Sequence, residues 1–394
     1  MLYLQEIVKI SNFKFMIMKK IEMVDLKSQY QQLKVDIDNS IHECINSSIF
    51  IKGPQVSLFQ KKLEDYLKVS YIITCANGTD ALQIAIMALN LKAGDEVIIP
   101  AFTYIATAEV ISLLGLKPVL VDVNPDTFNI DTKEIEKAIT DKTKVIVPVH
   151  LFGQCADMES IINVAKQNNL FVIEDTAQTV GADFTFSNGK VAKAGTIGDI
   201  GTTSFFPSKN LGCYGDGGAI FTNNDELALS MRMIANHGQA KQYHHEVIGV
   251  NSRLDSIQAA ILNVKLPHLN NFNRSRQLVA KRYDEAFINI KSLQIPYRDA
   301  KSTHVFHQYT LKVKNGKRDE LKKYLSEYDI PSMIYYPISL NHQKAYQPIC
   351  EQVGILSVSE SLCKEVISLP IHTEFQEEQL EYIINHVKTF FENE

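Results

Sequence analysis

Between residues 71 and 175 the sequence alternates short apolar runs with amphipathic stretches, and no other feature restricts the fold as severely. Residues 71–75, 97–99, 119–123, 145–149 and 171–173 read as strands, with helices at 81–89, 106–114 and 158–167. Strands apolar at nearly every position are buried on both faces. Strands alternating with helices form a largely parallel sheet with helices on each side. The expected class is α/β. After residue 266 the pattern changes: a long helix at 269–287 precedes 305–313, which alternates like a half-buried strand. Residues 332–336 are its expected partner, and 376–391 closes the chain as an amphipathic helix. These elements predict a large domain over 23–265 and a smaller C-terminal α+β domain over 266–394.

Length and charge narrow the function. The 394 residues divide into two or three domains at about 150 residues each. With 45 Asp+Glu against 40 Lys+Arg, the net charge of −5 offers no basic footprint for nucleic acid or an anionic membrane. No apolar run approaches the roughly 20 residues of a spanning helix. The first 20 residues interleave Glu6, Lys9 and Lys14 with apolar positions and lack a small-residue cleavage site, so they do not read as a signal peptide. The cytoplasm is the expected location. The six cysteines form no C-x-x-C pair and no zinc-ligand spacing, which predicts reduced thiols and no metal site.

Three places concentrate unusual residues. Lys209 lies in Ser204-Phe205-Phe206-Pro207-Ser208-Lys209-Asn210-Leu211-Gly212, followed by Gly215, Gly217 and Gly218, a turn where backbone can approach a ligand closely. Asp175 ends the apolar run 171–173 with Glu174, at the strand end where α/β sheets bind ligands. Asn77-Gly78-Thr79-Asp80 opens a helix whose first N–H groups can hold a phosphate. Taken singly, the lysine could be a solvated side chain, the aspartate an N-cap and the Gly-Thr turn an ordinary helix start. Together they supply an imine-forming amine, a partner for a pyridinium nitrogen and a phosphate cradle. That set matches pyridoxal 5′-phosphate (PLP).

At these residues the sequence resembles the DegT-type nucleotide-sugar aminotransferases, PLP enzymes of fold type I. The segments that carry the resemblance are CANGTDAL (75–82), PAFTYIATAE (100–109), EDTAQTVGA (174–182), SFFPSKNLGCYGDGGAIFT (204–222) and GVNSRLDSIQAA (249–260). It spans residue 23 to near the C-terminus, and residues 1–22 form an N-terminal extension outside it, read as an upstream start before Met18 or Met23. The resemblance implies that Lys209 bonds the cofactor and shuttles the proton, Asp175 pairs with the pyridinium nitrogen, and Gln178 bonds the ring hydroxyl oxygen. Tyr104 would stack on the ring, and Ser204, Gly78 and Thr79 would hold the phosphate. Asn251 resembles the residue lent to a partner subunit's phosphate, which implies a homodimer with shared sites. Arg253 is a candidate for a substrate carboxylate, and His244, His307, Tyr309 and Tyr336 are candidate sugar or nucleotide contacts. Many family members carry His where this chain has Asn341.

Within the family, residues 237–262 and 335–346 look most like the 3-aminotransferases, in particular those acting on UDP-2-acetamido-2-deoxy-3-oxo-glucuronate. The implied reaction converts a nucleotide-linked 3-keto sugar to its 3-amino form with L-glutamate as donor, for surface polysaccharide or lipopolysaccharide. A 4-aminotransferase acting on a dTDP- or UDP-4-keto sugar is the alternative, and a non-catalytic regulator with this fold is a third reading. A dehydratase of the same family would carry histidine in place of Lys209.

Overall fold

The computed structural model describes residues 19–392; the first 18 residues of the expected N-terminal extension lie outside them. Residues 19–23 lie against the C-terminal part of the chain. Ile21 is buried there, Gln379 Nε2 donates to the Lys19 and Lys20 carbonyls, and Ile371 N donates to Met23 O at 3.3 Å.

Two helices lead in. Leu26–Ser47 is capped by Asp25, whose side chain accepts from Ser28 N, and it ends on Ser48 in the left-handed region. Pro54–Leu67 starts with proline in its first turn, where a missing N–H costs nothing. Leu33 and Ile37 of the first helix bury against Ile261 and Phe272.

The central sheet has eight strands in the spatial order Tyr71–Cys75, Gly218–Thr222, Ile200–Ser204, Phe171–Asp175, Thr143–Ile146, Glu96–Pro100, Lys117–Val121 and Glu351–Gln352. Gly218–Thr222 runs antiparallel to both neighbours, and the other pairs are parallel. One face buries Val97, Ile99 and Ile173 under the helices Gly78–Ala88, Ala106–Leu113 and Asp225–Ile234. The other buries Ile98, Ile146 and Val172 under Thr132–Ala138 and Met158–Asn168. Each such side chain contributes about 1.5–3 kcal/mol of burial, and burial on both faces is why these strands are apolar throughout. This is the mostly parallel sheet that the alternation predicts.

The C-terminal region builds an antiparallel sheet of Leu293–Gln294, Tyr309–Val313 and Val366–Leu369. The helices Leu269–Phe287, Arg318–Glu327 and Glu377–Glu392 close a second core around Tyr283, Phe287, Leu311 and Ile383. Two expectations need correction here. The strand expected over 305–313 begins only at Tyr309, because the residues before it are committed elsewhere: Val305 N donates to Gly153 O, and Phe306 takes a positive φ of 47°. Its partner is Val366–Leu369 rather than 332–336, which pairs with that sheet through an isolated bridge between Met333 and Ser368. Pro331 and Pro337 bracket 332–336 and restrict its pairing. Among the described residues no helix is long and apolar enough to cross a membrane.

Candidate active site

Four strands end at one edge of the central sheet, and their loops bring together residues far apart in sequence. Asp175 terminates its strand in the interior. Its N donates to Pro148 O at 2.9 Å, and its Oδ1 accepts from Ala177 N at 3.0 Å. The neighbouring strand ends at Ser204 and leads into the turn that carries Lys209. Lys209 Nζ makes no hydrogen bond to any described residue, and its desolvation pushes the amine down to about 8 against the opposing pull of Asp175. Burial pushes the Asp175 carboxyl up, while the Ala177 N–H and the Lys209 charge draw it back. The result is an amine that sheds its proton easily, facing a carboxylate that binds a cation readily.

Beside them begins the helix Gly78–Ala88. Asn77 caps it, accepting from Asp80 N at 2.8 Å, and Asp80 in turn accepts from Ser252 Oγ at 2.6 Å. The N–H groups of Gly78 and Thr79 lie in the first turn and have no intrahelical carbonyl to bond. A Cβ at Gly78 would stand 2.8 Å from Ser204 Cβ, so only glycine lets these two backbones meet. The two strand ends thereby form one concave surface of N–H groups and a hydroxyl.

Gln178 is buried with both ends of its amide in use: Oε1 accepts from Phe152 N at 2.8 Å, and Nε2 donates to the Tyr336 hydroxyl at 3.2 Å. Tyr336 also packs 6.1 Å from Tyr104, a ring that is 58% exposed. His307 is buried with Nδ1 unpartnered, and burial, reinforced by the Lys209 charge, holds its pKa well below the usual histidine range. Arg253 reaches Asn236 Oδ1 at 3.3 Å and leaves a buried Nε without a partner. Asn251 is exposed and bridges Asn236 through backbone, and His244 is exposed on the two-stranded hairpin Gln239–Lys241/His244–His245. His342 pairs with Glu360 at 2.9 Å, and Asn341 donates to the same carboxylate at 3.2 Å.

Tyr309 is a correction. It is fully buried, donates to Asp284 Oδ1 at 2.9 Å and packs 4.8 Å from the Tyr283 ring, so it serves the second core and cannot touch a sugar.

Other residues were not singled out from the sequence. Ser252 Oγ accepts from Ala76 N at 2.9 Å, tying the Asn251–Arg253 segment to the helix start. His150 accepts from Ala156 N through Nδ1 and therefore donates through Nε2 to Glu174 at 2.9 Å. Glu174 also takes the N–H groups of Gly195, Ile197 and Gly198, anchoring the strand end beside Asp175. The adjacent acids Glu174 and Asp175 were the only sequence signal for this network.

The residues present fit a phosphorylated pyridine aldehyde: a desolvated primary amine, a buried carboxylate and a glycine-lined cradle of N–H groups converge. The comparisons agree. The model of the DegT/DnrJ/EryC1/StrS aminotransferase family matches residues 31–388. A Pseudomonas aeruginosa protein named UDP-2-acetamido-2-deoxy-3-oxo-D-glucuronate aminotransferase is 45% identical, covering 89% of this chain and 95% of its own. A Geobacillus stearothermophilus protein named as a pleiotropic regulatory protein is also 45% identical, covering 94% and 98%. The crystal structure of a DegT DnrJ EryC1 StrS aminotransferase from Brucella abortus superimposes with a TM-score of 0.90 at 40% identity, covering 94% of this chain and 99% of that one.

Proposed function

This chain belongs to the DegT/DnrJ/EryC1/StrS aminotransferase family, and from that membership we propose that it aminates a nucleotide-linked 3-keto sugar, with PLP as cofactor and L-glutamate as donor. The observation that carries the reading is the desolvated Lys209 amine beside buried Asp175, next to the Gly78–Ser204 cradle. The relative named for a 3-oxo sugar supports amination at carbon 3 over the 4-keto alternative. Lys209 argues against the dehydratase reading. The product is an amino sugar for surface polysaccharide, made in the cytoplasm.

Bound there, the cofactor supplies an electron sink for charge left on the substrate carbon. Asp175 holds the positive ring nitrogen, and it does so in an interior where that pairing is stronger than in water. Ser204 Oγ and the Gly78 and Thr79 N–H groups bind the phosphate. Gln178, locked by Phe152 and Tyr336, directs its Nε2 to the ring hydroxyl oxygen. Tyr104 covers one face of the ring. Lys209 Nζ would bond the cofactor at rest and, once the substrate's amine has displaced it, would be free to move the proton from the substrate carbon to the cofactor carbon, with the reverse transfer in the second half-reaction. Arg253, held to Asn236 Oδ1 through one terminal nitrogen, would receive a carboxylate on its guanidinium, and His307, Tyr336 and His244 would contact sugar or nucleotide.

Support for a homodimer comes from the surface around the site. Ile49, Phe50 and Ile51, the last bridged to Asp255, and Phe206, in the turn that carries Lys209, are exposed apolar side chains that a second copy would cover. The partner subunit's Asn251 would then complete the phosphate cradle.

The test is an absorption spectrum of the protein incubated with PLP, before and after L-glutamate, with Lys209→Ala as control. A visible band that shifts with glutamate and is missing or displaced in the variant is the expected result. No band and no shift in the wild type would reject the reading and leave the regulator in front.

A further inference from the structure

The helix Ser256–Lys265 ends on a buried lysine that the reaction above does not use. Lys265 Nζ donates to the Gly212 carbonyl at 2.8 Å and lies 4.3 Å from the centre of the Tyr214 ring. Among the described residues no carboxylate pairs with it, and burial pushes its amine down to about 8. An ammonium in the interior without a counter-ion is costly, and an aliphatic side chain would fill the same space without that cost. What favours the cation here is the Gly212 carbonyl and the aromatic face of Tyr214.

Both contacts fall on the loop that carries Lys209. Cys213 N donates to Phe205 O at 2.8 Å, closing a loop whose tip holds Lys209, and Lys209 N donates to Phe206 O at 2.8 Å. A Cβ on Gly212 would stand 2.3 Å from Pro207 O, so the two limbs of the loop touch. Tyr214 is gripped from the same helix as Lys265: its N donates to Gln258 Oε1 at 2.8 Å, and Gln258 Nε2 donates back to its carbonyl at 3.3 Å. One helix therefore holds the outgoing limb at Gly212 and at Tyr214.

We propose that Lys265 is a positioning residue for Lys209, its ammonium clamping the Gly212 carbonyl and the Tyr214 ring so that the 205–213 backbone stays fixed while the Lys209 side chain moves. The inference rests on the role proposed for Lys209, but its first test needs no cofactor. Hydrogen–deuterium exchange is measured on cofactor-free wild type and Lys265→Met. The 205–213 amides are expected to exchange roughly ten- to hundredfold faster in the variant, the loss of one hydrogen bond from a charged donor, while Phe171–Asp175 keeps its wild-type rate. In the loaded enzyme, the glutamate-driven shift of the visible band is expected to slow by about tenfold at unchanged KM for glutamate, as when an interaction needed only for the chemical step is removed.

Unchanged exchange over 205–213 in folded Lys265→Met overturns the proposal, and so does an equal rise across the whole protein. If that variant does not fold, Tyr214→Leu decides, since it keeps the ammonium and removes the ring. Faster exchange confined to 205–213 then supports the clamp, and wild-type exchange overturns it. A wild type that binds no cofactor would reject the proposed function while the exchange result still decides the clamp.

Discussion

Gln178 Nε2 donates to the Tyr336 hydroxyl at 3.2 Å, joining residues 158 positions apart. Because Oε1 is already held by Phe152 N, this bond fixes which end of the amide faces the site. Phe152 itself sits at φ 58°, a conformation costly for a bulky side chain and one that the surrounding bonds must maintain.

Tyr336→Phe keeps the ring packing against Phe102 and Tyr104 and removes only the acceptor. Stability should fall by about 1 kcal/mol and kcat by roughly three- to tenfold, the scale of one neutral hydrogen bond. Urea unfolding and steady-state kinetics check both, and an unchanged kcat would remove Tyr336 from the orientation of Gln178.

Uptake of PLP by cofactor-free protein should follow the Lys209 amine. Only the neutral amine attacks an aldehyde, and desolvation sets its titration at about 8. The second-order rate of band formation should therefore rise about tenfold per pH unit below that value and level off above it. A rate still climbing at pH 10 would mean the amine is solvated.

Gly78→Ala places a methyl 2.8 Å from Ser204 Cβ, in the cradle. Alanine suits the helix itself, but the overlap is relieved only by moving Ser204, so the variant should fold with stability lower by about 1–3 kcal/mol. Its affinity for PLP should drop by at least about tenfold, equivalent to 1.4 kcal/mol. Equilibrium titration of the cofactor-free variant measures this, and wild-type affinity would show that the phosphate lies elsewhere.

Acid should destabilise the fold through a buried histidine. Burial, helped by the Arg276 charge, pushes His372 down to about 4 from 6.5. Its folded-state pKa is depressed, so its contribution is present above pH 6.5 and is lost as pH falls towards 4. That loss is on the order of 3 kcal/mol. The urea midpoint should drop between pH 7 and pH 4 in wild type and drop by less in His372→Phe; equal drops would assign the acid sensitivity to other groups.

Much of the large sheet was legible because burial on both faces leaves a mark on every residue of a strand, as in Val97, Ile98 and Ile99. The 269–287 helix was read to its ends, since its amphipathic repeat is long. The short strand Val366–Leu369 was missed, because four residues after a helix, three of them apolar, carry no period that separates them from its last turn. Tyr309 was misplaced for a related reason: a tyrosine looks the same in sequence whether its hydroxyl meets a ligand or, as here, Asp284.

Residue order alone sets the alternation that builds the sheet and the chemical types that bear on a cofactor: an amine in a glycine-rich turn, an acid at a strand end, glycine before a helix. Those properties are local, set by backbone permissiveness and side-chain chemistry within a few residues. Which groups are dry, and which way they face, follows from long-range packing. Desolvation of Lys209, the locking of Gln178 between Phe152 and Tyr336, and the burial of Lys265 against Gly212 each depend on neighbours distant in the chain. Hydration and hydrogen-bond direction are properties of what surrounds a group, and the chain acquires those surroundings only when it folds.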